Sequence, residues 1–266
     1  MDFEIIESKE NKLVKSVRKL VSSASKRREQ GLFVLEGLRL CNDAAINGYS
    51  VETLIVSDDF KEIEKIDNLL TSAKRCVKLS GSIFKTLCDT VNPQGVLCVV
   101  RIPETVKNTD SISNGRYIML ENTADPSNLG AISRTAEALG LSGIIIGSEG
   151  CDPFSPKAQR AGMGALLRLP IYISSDIKSG IISFKEKGIR VFASVVSGDA
   201  TDLRKVDFPE NSIVLIGNEA NGLTDEIITL SDERVTINMS GRAESLNAAA
   251  AAAIFMWQMS GGQDDH

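Results

Sequence analysis

The run YIML at 117–120 passes directly into ENTADPSNLGAISR at 121–134, and the reading of these eighteen residues decides the fold. Tyr117–Leu120 is a continuous apolar run of strand length, and Asp125-Pro126 is a rigid turn. Asn128 then stands at the entrance of a helix running to Leu139. A strand that leads straight into a helix predicts a βα unit. Downstream, Ile144–Gly147, Leu169–Ile173, Val191–Val196, Ile213–Ile216 and Val235–Ile237 read as further aliphatic strands. Helices are expected near Pro156–Met163, over Ile177–Lys187, after Leu223 and over Ser245–Met259. Aliphatic strands alternating with helices predict an α/β fold whose parallel sheet is covered on both faces.

Upstream, strands at Leu32–Leu35, Val51–Val56 and Gly95–Arg101 alternate with helices at Glu36–Asn47 and Glu62–Leu70, so a second, smaller α/β domain is expected. A stretch rich in Ser, Thr, Asn and Asp separates the two. The expected division is a first domain at 1–105, a linker at 106–115 and a second domain at 116–260.

The chain has 266 residues, 42% hydrophobic and 24% charged, enough apolar material for a true core and far from a disordered or disulfide-stapled composition. Its five cysteines form no C-x-x-C pair and its one histidine is His266. No metal site and no histidine acid–base centre is therefore expected, and the cysteine usage suits a reducing, cytoplasmic location. Residues 1–20 hold no signal-like apolar run. The apolar run Ala248–Trp257 falls short of the roughly 20 residues a membrane span needs, so no membrane partner is expected.

A net charge of −5, taken as a whole-chain value, disfavours nucleic acid. It averages over an uneven chain, because Lys9–Arg39 carries nine basic residues against three acidic ones. Within that stretch, Asn11–Arg28 places Leu13, Val17, Leu20, Val21 and Ala24 at helical spacing with bases on the other faces. This is either an ordinary solvated helix or a phosphate-contacting one.

Three loops follow strands, where an open α/β sheet puts its ligand site. They are 121–134, IGNEANGL at 216–223 and INMSGRAESLN at 237–247. Each has a plain structural reading: a capping Asn128 with a surface Arg134, an Asn-Gly turn at 221–222, and a helix cap at Ser245 or Asn247. The dinucleotide signature G-x-G-x-x-G is absent, which disfavours a nucleotide-dependent oxidoreductase. Taken together, N-L-G-A-I-x-R-T-A, I-G-N-E-A-x-G-L and E-S-L-N-A-A-x-A resemble the three motifs of the SpoU (TrmH-like) RNA 2′-O-ribose methyltransferases, within the SPOUT class. Residues 9–100, with F-V-L-E-G at 33–37, resemble that family's ribosomal-protein-like substrate-binding domain.

The resemblance implies a C-terminal trefoil knot and S-adenosylmethionine as cofactor. The implied cofactor residues are Ser194, Val195, Val196, Gly217, Asn218, Glu219, Gly222, Ile237, Met239, Leu246 and Asn247. It implies Arg134 as the residue that positions or helps deprotonate the ribose 2′-hydroxyl, with Asn128, Glu219, Ser245 and Asn247 shaping the catalytic site. A homodimer joined through the Ala-rich last helix and an RNA substrate, ribosomal in preference to transfer RNA, are implied as well. Lys26, Arg27, Arg28 and Arg39 are the candidate RNA contacts. The alternative on the same fold is a non-catalytic RNA-binding or ribosome-assembly protein. One departure from the family pattern is Gly162, where Ser is usual.

Overall fold

The computed structural model describes residues 3–103, 107–112 and 114–261. The chain divides into two compact units, one of Met1–Pro103 with Asp152–Arg168, the other of Glu104–Cys151 with Leu169–His266.

The first unit is built on a five-stranded sheet of β1 (Glu4–Ile6), β2 (Leu32–Glu36), β3 (Val51–Ser57), β4 (Cys76–Leu79) and β5 (Val96–Arg101), in the order β1-β4-β3-β5-β2. Strands β1, β4 and β3 run parallel, while β5 is antiparallel to both its neighbours. Helix α1 (Lys12–Ser22) starts where the Asn11 side chain accepts a hydrogen bond from Leu13 N at 2.8 Å. It buries Val14, Val17 and Leu20 in the core with Ile6, Val34, Ile55 and Val77. Burying each such side chain contributes about 2 kcal/mol, an upper figure because the unfolded chain already hides some surface.

The single basic helix expected over Asn11–Arg28 is in fact two. Ser23 is extended (φ −130°, ψ 113°), and its side chain caps the next helix, α2 (Ala24–Gln30), by accepting from Lys26 N. A serine that can bond the backbone ahead of it favours a cap over continued helix. Helices α3 (Leu38–Ile46), α4 (Asp67–Ser72) and α5 (Gly81–Phe84) complete this part of the unit.

The second unit carries an eight-stranded, wholly parallel sheet. Its strands are β6 (Lys107–Asn108), β7 (Arg116–Leu120), β8 (Gly143–Gly147), β9 (Ile171–Ser174), β10 (Arg190–Ser194), β11 (Thr201–Asp202), β12 (Ser212–Ile216) and β13 (Glu233–Thr236). The order is β11-β13-β10-β12-β7-β8-β9-β6, so β7, β12 and β10 lie adjacent in the middle. Helix α6 (Pro126–Ala138) follows β7, and α7 (Pro156–Gly162) and α8 (Ala165–Arg168) fall between β8 and β9. The remaining helices are α9 (Ile177–Glu186), α10 (Asp225–Leu230) and α11 (Ala248–Met259). One face of the sheet buries Tyr117, Met119, Ile145, Val191, Ile213 and Leu215 against Ile181 and Phe184 of α9 and Ile227 of α10. The other is covered by α6 and α11, which pack on each other and on β7, β8 and β12. Both faces are therefore dry, which is why these strands read as aliphatic runs with no polar alternation.

Two boundaries differ from the sequence expectation. Of the expected linker 106–115, Lys107–Asn108 pairs with β9 as an edge strand and Ile112 is buried in the second unit's core. Val106 and Ser113 of that stretch, like His266, lie outside the described residues. The expected continuous domain 116–260 is interrupted, because Asp152–Arg168 groups with the first unit. The cause is the company these residues keep. Phe154 packs its ring 4.9 Å from Phe33, Arg168 pairs with Asp43 at 3.2 Å, and Asp152 pairs with Arg27 at 2.6 Å.

Candidate functional site

The three loops named from the sequence meet at the carboxyl ends of β7, β12, β10 and β13. The loop after β12 is closed on itself by reciprocal backbone hydrogen bonds, Asn218 N to Gly222 O at 3.0 Å and Gly222 N to Asn218 O at 2.9 Å. A Cβ at position 217 would collide with the backbone of Gly222 and Leu223, so only glycine closes the loop this tightly.

Side chains then tie this loop to the one after β7. Asn218 Nδ2 donates to the carbonyl of Asn122 at 2.7 Å. Asn122 has φ +54°, a left-handed conformation that Asn tolerates better than most residues. The Glu219 carboxylate accepts from Ala124 N (3.2 Å), Asp125 N (3.4 Å) and Asn128 Nδ2 (2.8 Å). In the other direction, Glu121 accepts from Thr224 N at 3.0 Å and Thr224 Oγ1 at 2.9 Å.

The third loop joins through Asn247, whose Nδ2 donates to Asn128 Oδ1 at 3.2 Å while its own Oδ1 caps α11 by accepting from Ala249 N and Ala250 N. Asn128, Glu219 and Asn247 thus form one hydrogen-bonded chain linking three loops. Burial raises the Glu219 pKa, but hydrogen bonds from the Asn128 side chain and from backbone N–H groups, including those of Ala124 and Asp125, outweigh it and leave the group lowered. A carboxylate so engaged is a weak base at neutral pH.

Beside this chain lies a cavity of about 750 Å³, whose lining includes Ser194, Val195, Val196, Gly217, Asn218, Glu219, Gly222, Leu246 and Asn247. An adjoining, more apolar recess of about 80 Å³ is lined in part by Ile237, Met239 and Phe255, and Ser245 borders both. Val196 and Leu246 remain 69% and 38% exposed on these walls. Apolar side chains left open on a concave wall, beside backbone amides and side-chain carboxylates, suit a flat heteroaromatic base carrying a polar, charged tail. S-adenosylmethionine has that chemistry, and the residues present fit it.

Two residues named from the sequence lie apart from the recesses. Arg134 is exposed, lines neither recess, and has no hydrogen-bond or ion-pair partner among the described residues. Six residues along an α-helix is about 240° of rotation, so it does not share the buried face of Asn128. Arg27 is 4% exposed, paired with Asp152, and also donates to Leu20 O and Val21 O. It is an internal strut and leaves the set of candidate RNA contacts. Lys26 is half-buried and pairs with Glu29, while Arg28 and Arg39 are exposed. The sequence reading missed Glu121 and Thr224, although an acidic residue at the end of an apolar strand was a usable signal.

The parallel sheet and its recess define an α/β protein with room for a small molecule at its strand ends. The chain belongs to the SpoU rRNA Methylase family, whose model matches residues 115–257, and residues 11–98 match the MRM3-like substrate binding domain. By family it is an RNA methyltransferase. It is 30% identical over 259 residues to an uncharacterized tRNA/rRNA methyltransferase of Synechocystis sp., covering 97% of this chain and 93% of the relative. It is 28% identical to the 23S rRNA (guanosine(2553)-2'-O)-methyltransferase RlmP of Bacillus subtilis, covering 96% and 99%. The crystal structure of an AdoMet-bound rRNA methyltransferase from Sinorhizobium meliloti superimposes with a TM-score of 0.87 at 29% identity, over 99% of each chain. Among the described residues no helix is long and apolar enough to cross a membrane, and no cluster of metal-binding side chains is found.

Proposed function

We propose that this protein is an S-adenosylmethionine-dependent 2′-O-ribose methyltransferase acting on ribosomal RNA. The observation that carries the reading is the convergence of three sequence-distant loops on one cavity through the Asn128–Glu219–Asn247 chain. The cofactor supplies an electrophilic methyl group on a sulfonium sulfur. Val195, Val196, Ile237, Met239 and Leu246 enclose the adenine, and the loop from Gly217 to Gly222 lines the polar part. Walls that enclose the reactants exclude water and hold them oriented for attack, a substantial contribution to such a transfer.

The attacking 2′-hydroxyl needs help to lose its proton. Glu219 is unsuited to that task because its carboxylate is already engaged by three donors. Arg134, an always-charged guanidinium, binds the phosphate next to the target ribose and stabilises the negative charge that develops on the 2′-oxygen, with the proton passing to solvent. Its position away from the cavity goes with a homodimer in which a second copy completes the site. The apolar stripe of α11, with Ile254 42% and Trp257 55% exposed, is the surface for that second copy. The family's trefoil knot belongs to the same reading. Exposed Arg28 and Arg39, with Lys26, supply RNA contacts.

Mapping 2′-O-methyl groups in total RNA with and without the protein tests the activity: one ribosomal position that gains the mark is expected. No gained mark, together with retained RNA binding, would favour the non-catalytic alternative. Light scattering reads the oligomeric state, for which a dimer is expected.

A further inference from the structure

We infer that Glu121 is a positioning residue for the cofactor loop, acting through Thr224; the inference rests on the cofactor reading above. Thr224 occupies the N-cap position of α10 with the backbone of a cap (φ −68°, ψ 149°), yet its side chain makes no capping hydrogen bond. Threonine at that position ordinarily turns its oxygen to the N–H groups ahead of it. Here the hydroxyl and the backbone N–H both point at Glu121, at 2.9 and 3.0 Å, and both oxygens of the carboxylate are used. The local preference is overridden by an interaction spanning 103 residues of sequence.

Glu121 is 6% exposed at the end of the central strand β7. A carboxylate so buried persists only with donors aimed at it. What those donors fix is the exit of the segment 217–223, whose residues line the large cavity. Its middle is fixed in the reverse sense, by Glu219 accepting from Ala124 N and Asp125 N. Each loop therefore offers one carboxylate to backbone N–H groups of the other. Two clamps of opposite polarity hold the segment in register with β7, and Glu121 is the one that needs no contact with ligand.

Hydrogen exchange over residues 217–224 and calorimetric binding of S-adenosylhomocysteine, on the full chain, test this. Glu121→Ala and Thr224→Val are expected to speed exchange in 217–224 while leaving β8 and β9 protected, and to weaken binding by about tenfold. Glu121→Gln and Thr224→Ser are expected to recover most of both, because the Gln amide can accept from Thr224 N and donate to Thr224 Oγ1. In methylation assays Glu121→Ala should raise KM for the cofactor and leave kcat at saturation near wild type. Wild-type exchange and affinity in folded Glu121→Ala would overturn the inference, as would a uniform rise in exchange across the whole unit. Should Glu121→Ala not fold, Thr224→Val carries the same two outcomes. A wild-type protein that does not bind S-adenosylhomocysteine overturns the cofactor reading instead, and the exchange rates in 217–224 still decide the clamp.

Discussion

In the first unit, Arg27 and Asp152 meet across 125 residues of sequence inside a packed body; in the second, Glu219 meets Ala124, Asp125 and Asn128 at the rim of a cavity. The partners differ. Arg27 and Asp152 have 5% and 11% exposed side chains and tie a remote segment to a scaffold, whereas Glu219 is exposed and ties two loops to each other. The first arrangement concerns stability and the second shape. Charged residues of similar appearance in the sequence therefore answer to different experiments.

The largest effect is expected from breaking the buried pair. Arg27→Ala leaves Asp152 without its cation and should cost about 3–5 kcal/mol in denaturant unfolding. The salt dependence of RNA binding should stay that of wild type, since Arg27 is turned inward and neutralises no phosphate. Gly217→Ala comes next: its methyl group collides with the closed loop, and a loss of about 1–3 kcal/mol with cofactor binding abolished is expected by calorimetry. Asn247→Ala removes the cap of α11 and the link to Asn128, for about 1 kcal/mol of stability and a measurably weaker cofactor complex.

Smaller again is the double variant Arg28→Ala, Arg39→Ala. Melting should move by the equivalent of less than about 0.5 kcal/mol, while the slope of log affinity for RNA against log salt falls by about 1 for each phosphate that is no longer neutralised. An unchanged slope removes those two residues from the RNA surface. The smallest effect concerns pH. The Glu219 pKa is lowered on folding, so its contribution is fully present above the ordinary value of 4.5 and is lost as pH falls through the lowered one. Acid unfolding of wild type compared with Glu219→Gln should diverge above that window and converge below it.

Much of this molecule was legible as pattern. The apolar run Tyr117–Leu120 followed by Asp125-Pro126 and Asn128 predicts the β7–α6 unit, and the structure has it, but the helix starts at Pro126, capped by the Asp125 side chain accepting from Ser127 N at 2.9 Å, so Asn128 is not the cap. The parallel sheet and the family followed from similar local signals. Less legible were Ser23, which splits the basic helix by capping within it, and Lys107–Asn108, two polar residues that become a strand only because β9 has a free edge.

Local chemistry acts over a few residues, so the sequence by itself determined the main aliphatic strands, the Asn247 cap, the glycine-closed loop and the three motifs. Only the tertiary structure decided that Arg27 is internal, that Asp152–Arg168 belongs with the first unit, and that Arg134 faces away from the buried side of its helix. The same holds for Glu121, whose partner Thr224 lies 103 residues away. Whether a charge becomes a strut, a clamp or a free surface group depends on which neighbours folding brings to it and how much water remains, and neither is written in the residues beside it.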